Sequence, residues 1–177
     1  EYTVSEDKTS TLKVLSNDYD ADGDTIFLST VSVKGKGSAN VDSDGRTITY
    51  TPLLDFNGVE TLEYSVTDTS GVSASGTVTV TVLPENDSPI GSDGFLQAVE
   101  GEEASVDLSL LVTDPDDETF SFSLETQPGA GSAYISGDWL FYSSQGDNPS
   151  SDTIVYKVSD GKGGLDTAQV QISVTGV

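Results

Sequence analysis

The residues with the most chemistry to offer are carboxylates crowded into turns. Asn17-Asp18-Tyr19-Asp20-Ala21-Asp22-Gly23-Asp24 places four Asp in eight residues, and Asp114-Pro115-Asp116-Asp117-Glu118 places four acids in five. Like charges this close repel one another unless a cation sits among them or water screens them. Alternate-residue spacing in a loop lets several carboxylates converge on one point. Flexible, all-oxygen coordination of that kind suits Ca2+ better than Mg2+, which demands a stricter octahedron and keeps its waters. Asp18-Xaa-Asp20-Xaa-Asp22-Gly23 imitates the opening of an EF-hand loop, but the position of the bidentate Glu is taken by Ser29 and the flanks read as strands, so the EF-hand is rejected and calcium retained. The plainer alternative is a set of solvated acidic turns, since Asp and Gly are ordinary turn residues. Recurrence of the pattern in both halves of the chain favours the metal.

Other chemistries are closed to this sequence. Seven Lys+Arg against 30 Asp+Glu leave a formal charge of −23. So few basic residues cannot neutralise a nucleic-acid backbone, and an anionic membrane surface would repel the chain. With no His and no Cys, a Ser-His-Asp triad, a Cys nucleophile and a zinc site of imidazole or thiolate are all unavailable. Glycoside hydrolysis by paired carboxylates needs two opposed acids in a cleft, which a small sandwich does not offer. The chain is expected not to be an enzyme. No apolar run is long enough to span a bilayer, so no direct membrane insertion is expected. The start at Glu1 without a leader suggests a stretch of a longer protein.

The elements that position the acidic turns emerge when the chain is aligned on itself. Leu62-Glu63-Tyr64-Ser65-Val66-Thr67-Asp68 returns as Ile154-Val155-Tyr156-Lys157-Val158-Ser159-Asp160, a shift of 92 that also carries Tyr50 to Tyr142 and Gly71 to Gly163. Upstream the shift becomes 94 (Gly37 to Gly131) and then 96 (Asp18 to Asp114, Asp20 to Asp116), as two small loop deletions would produce. Pro84-Glu85-Asn86-Asp87-Ser88-Pro89 interrupts the strand pattern between the copies. Two domains are therefore expected at 1–83 and 91–177, joined by a linker at 84–90. Within each, apolar residues alternate with period two, as in Thr77-Val78-Thr79-Val80-Thr81-Val82, and turn residues separate roughly seven short runs. The fold class is all-β: two tandem antiparallel β-sandwiches. Their cores are expected to hold Leu62, Tyr64, Val66, Val78, Val80 and Val82, and then Ile154, Tyr156, Val158, Val170, Ile172 and Val174.

Several segments together carry a family resemblance. Val112-Thr113-Asp114-Pro115-Asp116 is similar to the Ala-Xaa-Asp-Xaa-Asp segment of cadherin repeats, Val158-Ser159-Asp160-Gly161 to the later Ala-Xaa-Asp-Gly, and Leu83-Pro84-Glu85-Asn86-Asp87-Ser88-Pro89 to the strand-plus-linker segment. With Tyr50-Thr51-Pro52 and Phe56-Asn57-Gly58, the whole chain resembles the bacterial cadherin-like (Ig-like) repeats of large RTX-type surface adhesins and some secreted polysaccharide-degrading proteins. The resemblance implies calcium at the junction between repeats. Glu6 and Asp55 would serve at the base of the first domain, Glu85, Asn86 and Asp87 in the linker, and Asp114, Asp116 and Asp160 at the top of the second. Asp18, Asp20 and Asp68, with Asp22 in the same loop, would form the corresponding top of the first domain, weaker for want of an upstream linker. The family's Leu-Asp-Arg-Glu is replaced by Leu54-Asp55-Phe56-Asn57, so Asp55 or Glu60 would have to compensate. In the second copy Gln145-Gly146-Asp147-Asn148 stands in that region, and Glu100, Glu102 and Glu103 leave its first-strand ligand ambiguous.

The copies differ on one surface. Asn40, Thr47 and Thr49 become Tyr134, Trp139 and Phe141, which puts three aromatics on the outward face of one hairpin in the second domain. Such a face could bind a sugar ring or a partner's apolar side chains, or simply cover an edge. The expected function is a calcium-binding extracellular module at a bacterial cell surface, stiffened by Ca2+ against neighbouring repeats of the same chain for cell adhesion. The alternative is a calcium-dependent carbohydrate-binding module of a secreted polysaccharide-degrading protein. Expected partners are calcium, adjacent repeats and either carbohydrate or a cell-surface protein, with no nucleic acid.

Overall fold

The computed structural model describes residues 1–116, 119–145 and 151–176. Among them the regular structure is strand, with two four-residue 3-10 turns at Val14–Asn17 and Leu108–Leu111. None of the described helices is long and apolar enough to cross a membrane. The chain divides into two compact units, Glu1–Glu85 and Asn86–Val177.

The first unit contains β1 (Tyr2–Ser5), β2 (Ser10–Leu12), β3 (Ile26–Val33), β4 (Ser38–Val41), β5 (Ile48–Thr51), β6 (Gly58–Asp68) and β7 (Ser73–Leu83). They form two sheets, ordered β1-β7-β6-β3 and β2-β5-β4. In the second unit β8 (Ile90–Gly91), β9 (Gly94–Val99), β10 (Glu103–Asp107), β11 (Val112–Thr113), β12 (Ser121–Leu124), β13 (Gly131–Ser136), β14 (Trp139–Ser144), β15 (Ser151–Ser159) and β16 (Leu165–Thr175) repeat the plan. Here the sheets are β12-β15-β16-β9 and β10-β14-β13, with β8 and β11 as a small extra pair. Each unit is the expected sandwich, its inner faces supplied by alternate residues of facing strands.

One pairing in each sandwich is parallel. β1 runs beside β7 with Tyr2 opposite Val80 and Ser5 opposite Leu83, and β9 runs beside β16 with Gly94 opposite Val170. Because paired strands run the same way, the residues that follow them emerge side by side. Glu6 N–H donates to Leu83 O at 3.0 Å, and Glu100 N–H donates to Thr175 O at 3.0 Å. Glu100, not Glu102 or Glu103, therefore stands where Glu6 stands in the first copy.

The cores follow the alternation. Leu62, Tyr64, Val78, Val80 and Val82 are buried in the first unit with Val66 packed against them, and Ile154, Tyr156, Val158, Val170, Ile172 and Val174 are buried in the second. Full burial of an aliphatic or aromatic side chain contributes about 1.5–3 kcal/mol. Tyr50 and Tyr142 are completely enclosed, and each phenol must find a partner inside. Tyr50 Oη donates to Glu60 Oε2 at 2.6 Å, and Tyr142 Oη donates to Asp152 Oδ2 at 3.4 Å. Each carboxylate also ties down the loop before the next strand. Glu60 accepts from Lys36 N–H and, at 3.0 Å, from Gly37 N–H; Asp152 accepts from Gly129 and Ala130 N–H at 2.9 Å each. The chain passes so close to the phenol that a Cβ on Gly37 or Gly131 would lie within 2.9 or 2.5 Å of the Tyr50 or Tyr142 ring. Glu60 thus closes a loop inside its own domain.

The two clamps differ in length, and their removal should differ in effect. Tyr50→Phe is expected to destabilise the first domain by about 1.5–3 kcal/mol, the range for a hydrogen bond to a charged group. Tyr142→Phe, which loses a longer and weaker bond, is expected to cost about 1 kcal/mol or less. Native-state hydrogen exchange, read domain by domain, measures both; equal losses would show that the carboxylate bond is not what the phenol contributes.

Candidate metal centre

The carboxylates singled out by sequence gather in three places. The first follows β1 and β7 in the first unit. Glu6 is 1% exposed, and its Oε1 accepts from Glu85 N–H at 2.6 Å. Its Oε2 is buried and has no hydrogen-bond partner among the described residues. Glu85 is held to the same unit by Ser5 Oγ at 2.5 Å and by Lys8 Nζ at 3.5 Å. The Ser5 hydroxyl and then the Lys8 ammonium keep its carboxyl below the usual carboxylate range. Beside them Asp55 N–H donates to Asp7 Oδ1 at 3.0 Å. Asp7 and Asp55 both adopt a left-handed backbone with φ of 57°, a conformation Asp tolerates better than most residues because its short side chain can bond locally. The position matching Asp7 in the second copy is Gly101, also left-handed, with φ of 75°.

Asp7 was not legible as a site residue. The turn Glu6-Asp7-Lys8 carries one weak signal, a second acid beside Glu6, and only the fold shows that it meets Asp55. The counterpart of Asp55 in the second copy, around Asp147 and Asn148, lies outside the described residues, as do Asp117 and Glu118 of the second acidic run.

The second group lies in the second unit and joins five of the expected residues. Asn86 Nδ2 donates to Asp160 Oδ2 at 2.7 Å, Asp87 N–H to Asp116 Oδ2 at 2.8 Å, and Asp116 N–H to Asp114 Oδ1 at 2.8 Å. Asp160 is buried and takes further bonds at its Oδ1 from the N–H groups of Lys162, Gly163 and Gly164 at 2.7, 3.0 and 3.0 Å. The Asn86 amide, aided by those N–H groups and opposed by burial, holds the Asp160 carboxyl below its ordinary value. The linker is thus divided: Glu85 is bonded into the first domain, Asn86 and Asp87 into the second.

The third group is at the far end of the first unit. Asn17, Asp18, Asp20, Tyr64 and Asp68 line a hollow of about 280 Å³. Tyr64 Oη donates to Asp18 Oδ2 at 2.9 Å, and burial followed by that bond pushes the phenol up to about 12. Asp20 Oδ1 accepts from Asp22 and Asp24 N–H at 2.8 and 3.1 Å, and Asp68 Oδ1 from Val72 N–H at 2.7 Å. Asp22 contributes its backbone to this turn while its side chain stays exposed, outside the hollow.

The three speculative ligand-binding residues share one sheet. Tyr134 and Phe141 lie opposite each other on β13 and β14, stacked with centroids 4.9 Å apart and planes 9° apart. Tyr134 Oη reaches across to Glu103 Oε2 on β10 at 3.2 Å, and Trp139 stands two residues before Phe141 on the same face.

The depressed Asp160 pKa fixes the sign of an acid response. A carboxyl whose folded value lies below its unfolded one stabilises the fold above the unfolded value of about 4 and loses that contribution as pH falls through the folded value. In chelator-treated protein, Asn86→Ala removes the main cause, so the Asp160 carboxyl carbon is expected to titrate at higher pH by NMR, and the stability that this carboxylate contributes to the second domain is expected to be smaller and to be lost completely at a higher pH. An unchanged titration would show that Asn86 does not hold this carboxylate.

Known proteins share this architecture. The protein GAMETE EXPRESSED 2 of Arabidopsis thaliana is 35% identical over 97 residues, a match covering 55% of this chain and 10% of that protein, so the chain spans about a tenth of its relative's length. The human mucin-like protocadherin EC1-2 structure covers 98% of this chain and 94% of its own, with a TM-score of 0.52 at 14% identity. Mouse cadherin-23 EC22-24 covers 86% and 53%, with a TM-score of 0.50 at 18% identity. At such identities the likeness speaks for the fold, and it is the sandwich of paired sheets already described. Residues 1–81 and again 86–173 match the profile of the family described as Bacterial Ig domain, one match per sandwich. The chain belongs to that family, as two tandem copies.

Proposed function

We infer that this chain is a calcium-binding, adhesion-type module of an extracellular bacterial surface protein, acting by binding and mechanical support rather than by catalysis. The observation that carries the reading is Glu6. A carboxylate that is 1% exposed, with one oxygen bonded to Glu85 N–H and the other without a partner among the described residues, leaves an uncompensated buried charge. Such a group costs several kcal/mol unless a cation or further donors meet it. Lys8, two residues along the chain, is engaged by Glu85.

The available donors suit calcium. They are carboxylate and amide oxygens on short loops, hard ligands without the nitrogen or sulfur that zinc or copper would draw on. Glu6, Asp55 and Glu85, joined by Asp7, would supply the ligands of the first domain, and Asn86, Asp87, Asp114, Asp116 and Asp160 those of the second. Glu85 and Asn86 are consecutive, so one peptide bond separates donors anchored in one sandwich from donors anchored in the other. Bound calcium would offset the repulsion among these carboxylates and restrain the connection between repeats, which supports a spacer role. Asp18, Asp20 and Asp68 would form a lesser site in the first domain. Membership in the bacterial Ig family favours an extracellular setting, and a stiff array projecting an adhesive end from the cell surface follows from the tandem design.

Thermal unfolding in calcium and then in excess chelator tests this. Calcium at a hundred times its dissociation constant stabilises by about 2.7 kcal/mol per site, which shifts Tm by on the order of 10 °C for domains of this size. Glu6→Gln keeps the acceptor for Glu85 N–H but removes the charge. The variant is expected to melt no lower than the parent in chelator while losing most of the calcium-induced rise. A parent Tm indifferent to calcium would sink the metal reading.

A further inference from the structure

We propose that the β10-β14-β13 face of the second domain is a docking platform for a neutral, hydroxyl-rich glycan. The inference goes beyond the calcium reading and uses none of its residues. Its first support is the comparison between copies. In the first domain Asp42 Oδ2 accepts from Thr47 Oγ1 at 2.5 Å and its Oδ1 from Thr49 Oγ1 at 2.6 Å, so the equivalent face closes on itself with polar groups. The positions of Asp42, Thr47 and Thr49 are occupied in the second domain by Ser136, Trp139 and Phe141, and that of Asn40 by Tyr134. The same hairpin folds without these aromatics, so the fold does not require them.

The second support is geometry. Trp139 and Tyr134 are 44% and 50% exposed although each could be buried to advantage, and Tyr134 is held flat against Phe141 by stacking and by its bond to Glu103. A platform ordered in advance loses less entropy when a ligand docks.

The third support is charge and chemistry. None of the seven basic residues lies on β10, β13 or β14, while Glu103 and Asp107 flank the aromatics, so an anionic polysaccharide or an acidic protein is repelled. A cationic partner would be drawn equally to every acidic loop of a chain with a formal charge of −23, and nothing would select this face. The selective features are flat aromatic surface and hydroxyls: Ser105, Ser132, Ser136 and Ser143 lie on the same side of the three strands as Trp139 and Phe141. The apolar face of a pyranose stacks on the rings, and its hydroxyls bond to the serines and to Glu103.

The test is affinity electrophoresis of the whole chain in gels containing barley β-glucan, arabinoxylan, galactomannan, hydroxyethylcellulose or dextran, with alginate and plain gel as controls. Retardation by at least one neutral polysaccharide and not by alginate is expected. Trp139 is the sole tryptophan, so the retarding polysaccharide should also shift the parent's intrinsic fluorescence. Phe141→Thr keeps that reporter and borrows the residue the first domain already carries; it should bind about tenfold more weakly, as should Tyr134→Asn, with far-UV circular dichroism unchanged. No retardation in any neutral gel, retardation that the variants leave intact, or preferential binding to alginate or to a salt-sensitive polylysine probe would each overturn the proposal. A fluorescence shift driven by protein concentration alone, with dimer formation in sedimentation, would overturn it in favour of self-association.

Discussion

The constraint that organises this structure is the shortage of positive charge. With 30 acidic side chains and seven basic ones, carboxylates drawn out of water cannot be met by ion pairs and must be met by neutral donors. Glu60 and Asp152 take backbone N–H groups and a tyrosine hydroxyl; Asp42 takes two threonines; Asp68, Asp20 and Asp114 take the N–H groups of their own turns. Each bond that satisfies a carboxylate also fixes a loop. The acid therefore serves as internal fastening throughout both sandwiches, and the ion pairs of Lys34 with Glu63 and Lys157 with Glu125 sit at the surface where they contribute little. Glu6 is met only in part: its Oε1 accepts from Glu85 N–H, and its Oε2 is buried without a hydrogen-bond partner among the described residues. Glu60 and Asp160 are buried as well, and both oxygens of each accept hydrogen bonds.

The same rule divides the linker. Ser5, Lys8 and the Glu6 carboxylate bind Glu85 to the first sandwich, and Asp160 and Asp116 bind Asn86 and Asp87 to the second. Half of the Pro84–Pro89 stretch is thus committed to one domain or the other, Glu85 to the first and Asn86 and Asp87 to the second. The parallel pairing of β1 with β7 is what delivers Glu6 to this point, since an antiparallel closing strand would have sent it to the opposite end of the sheet.

Much of the fold was legible because period two and internal repetition are strong signals. The shift of 92 placed Leu62, Tyr64, Val78 and Val80 and their counterparts on inner faces, where they lie. The role of Glu60 was not legible. A Glu flanked by Val59 and Thr61 in a strand looks like an outward residue or a stray ligand, and only the enclosed Tyr50 phenol and the nearby Lys36 and Gly37 amides reveal why it turns inward. Asp7 escaped for the same reason, since its partner Asp55 is 48 residues away and the two meet only through loop closure. The ambiguity among Glu100, Glu102 and Glu103 was resolved by register alone: the Glu100 N–H bond to Thr175 repeats that of Glu6 to Leu83, whereas Glu103 belongs to the next strand and bonds Tyr134.

Two copies of one fold in a single chain also separate what the sandwich needs from what it merely permits. The tyrosine-carboxylate clamp appears twice, with Glu exchanged for Asp and the bond lengthened from 2.6 to 3.4 Å, so the clamp is needed but its reach is negotiable. The left-handed residue after Glu6 appears twice as well, once as Asp7 and once as Gly101, so the backbone turn is required and the carboxylate is an addition. On the outer face of the hairpin the opposite holds: a polar set centred on Asp42 and an aromatic set centred on Phe141 occupy the same register without disturbing the pairing beneath. The Tyr134–Trp139–Phe141 set is thus no requirement of the sandwich, while Glu60, Asp152 and the buried tyrosines they hold belong to its scaffold.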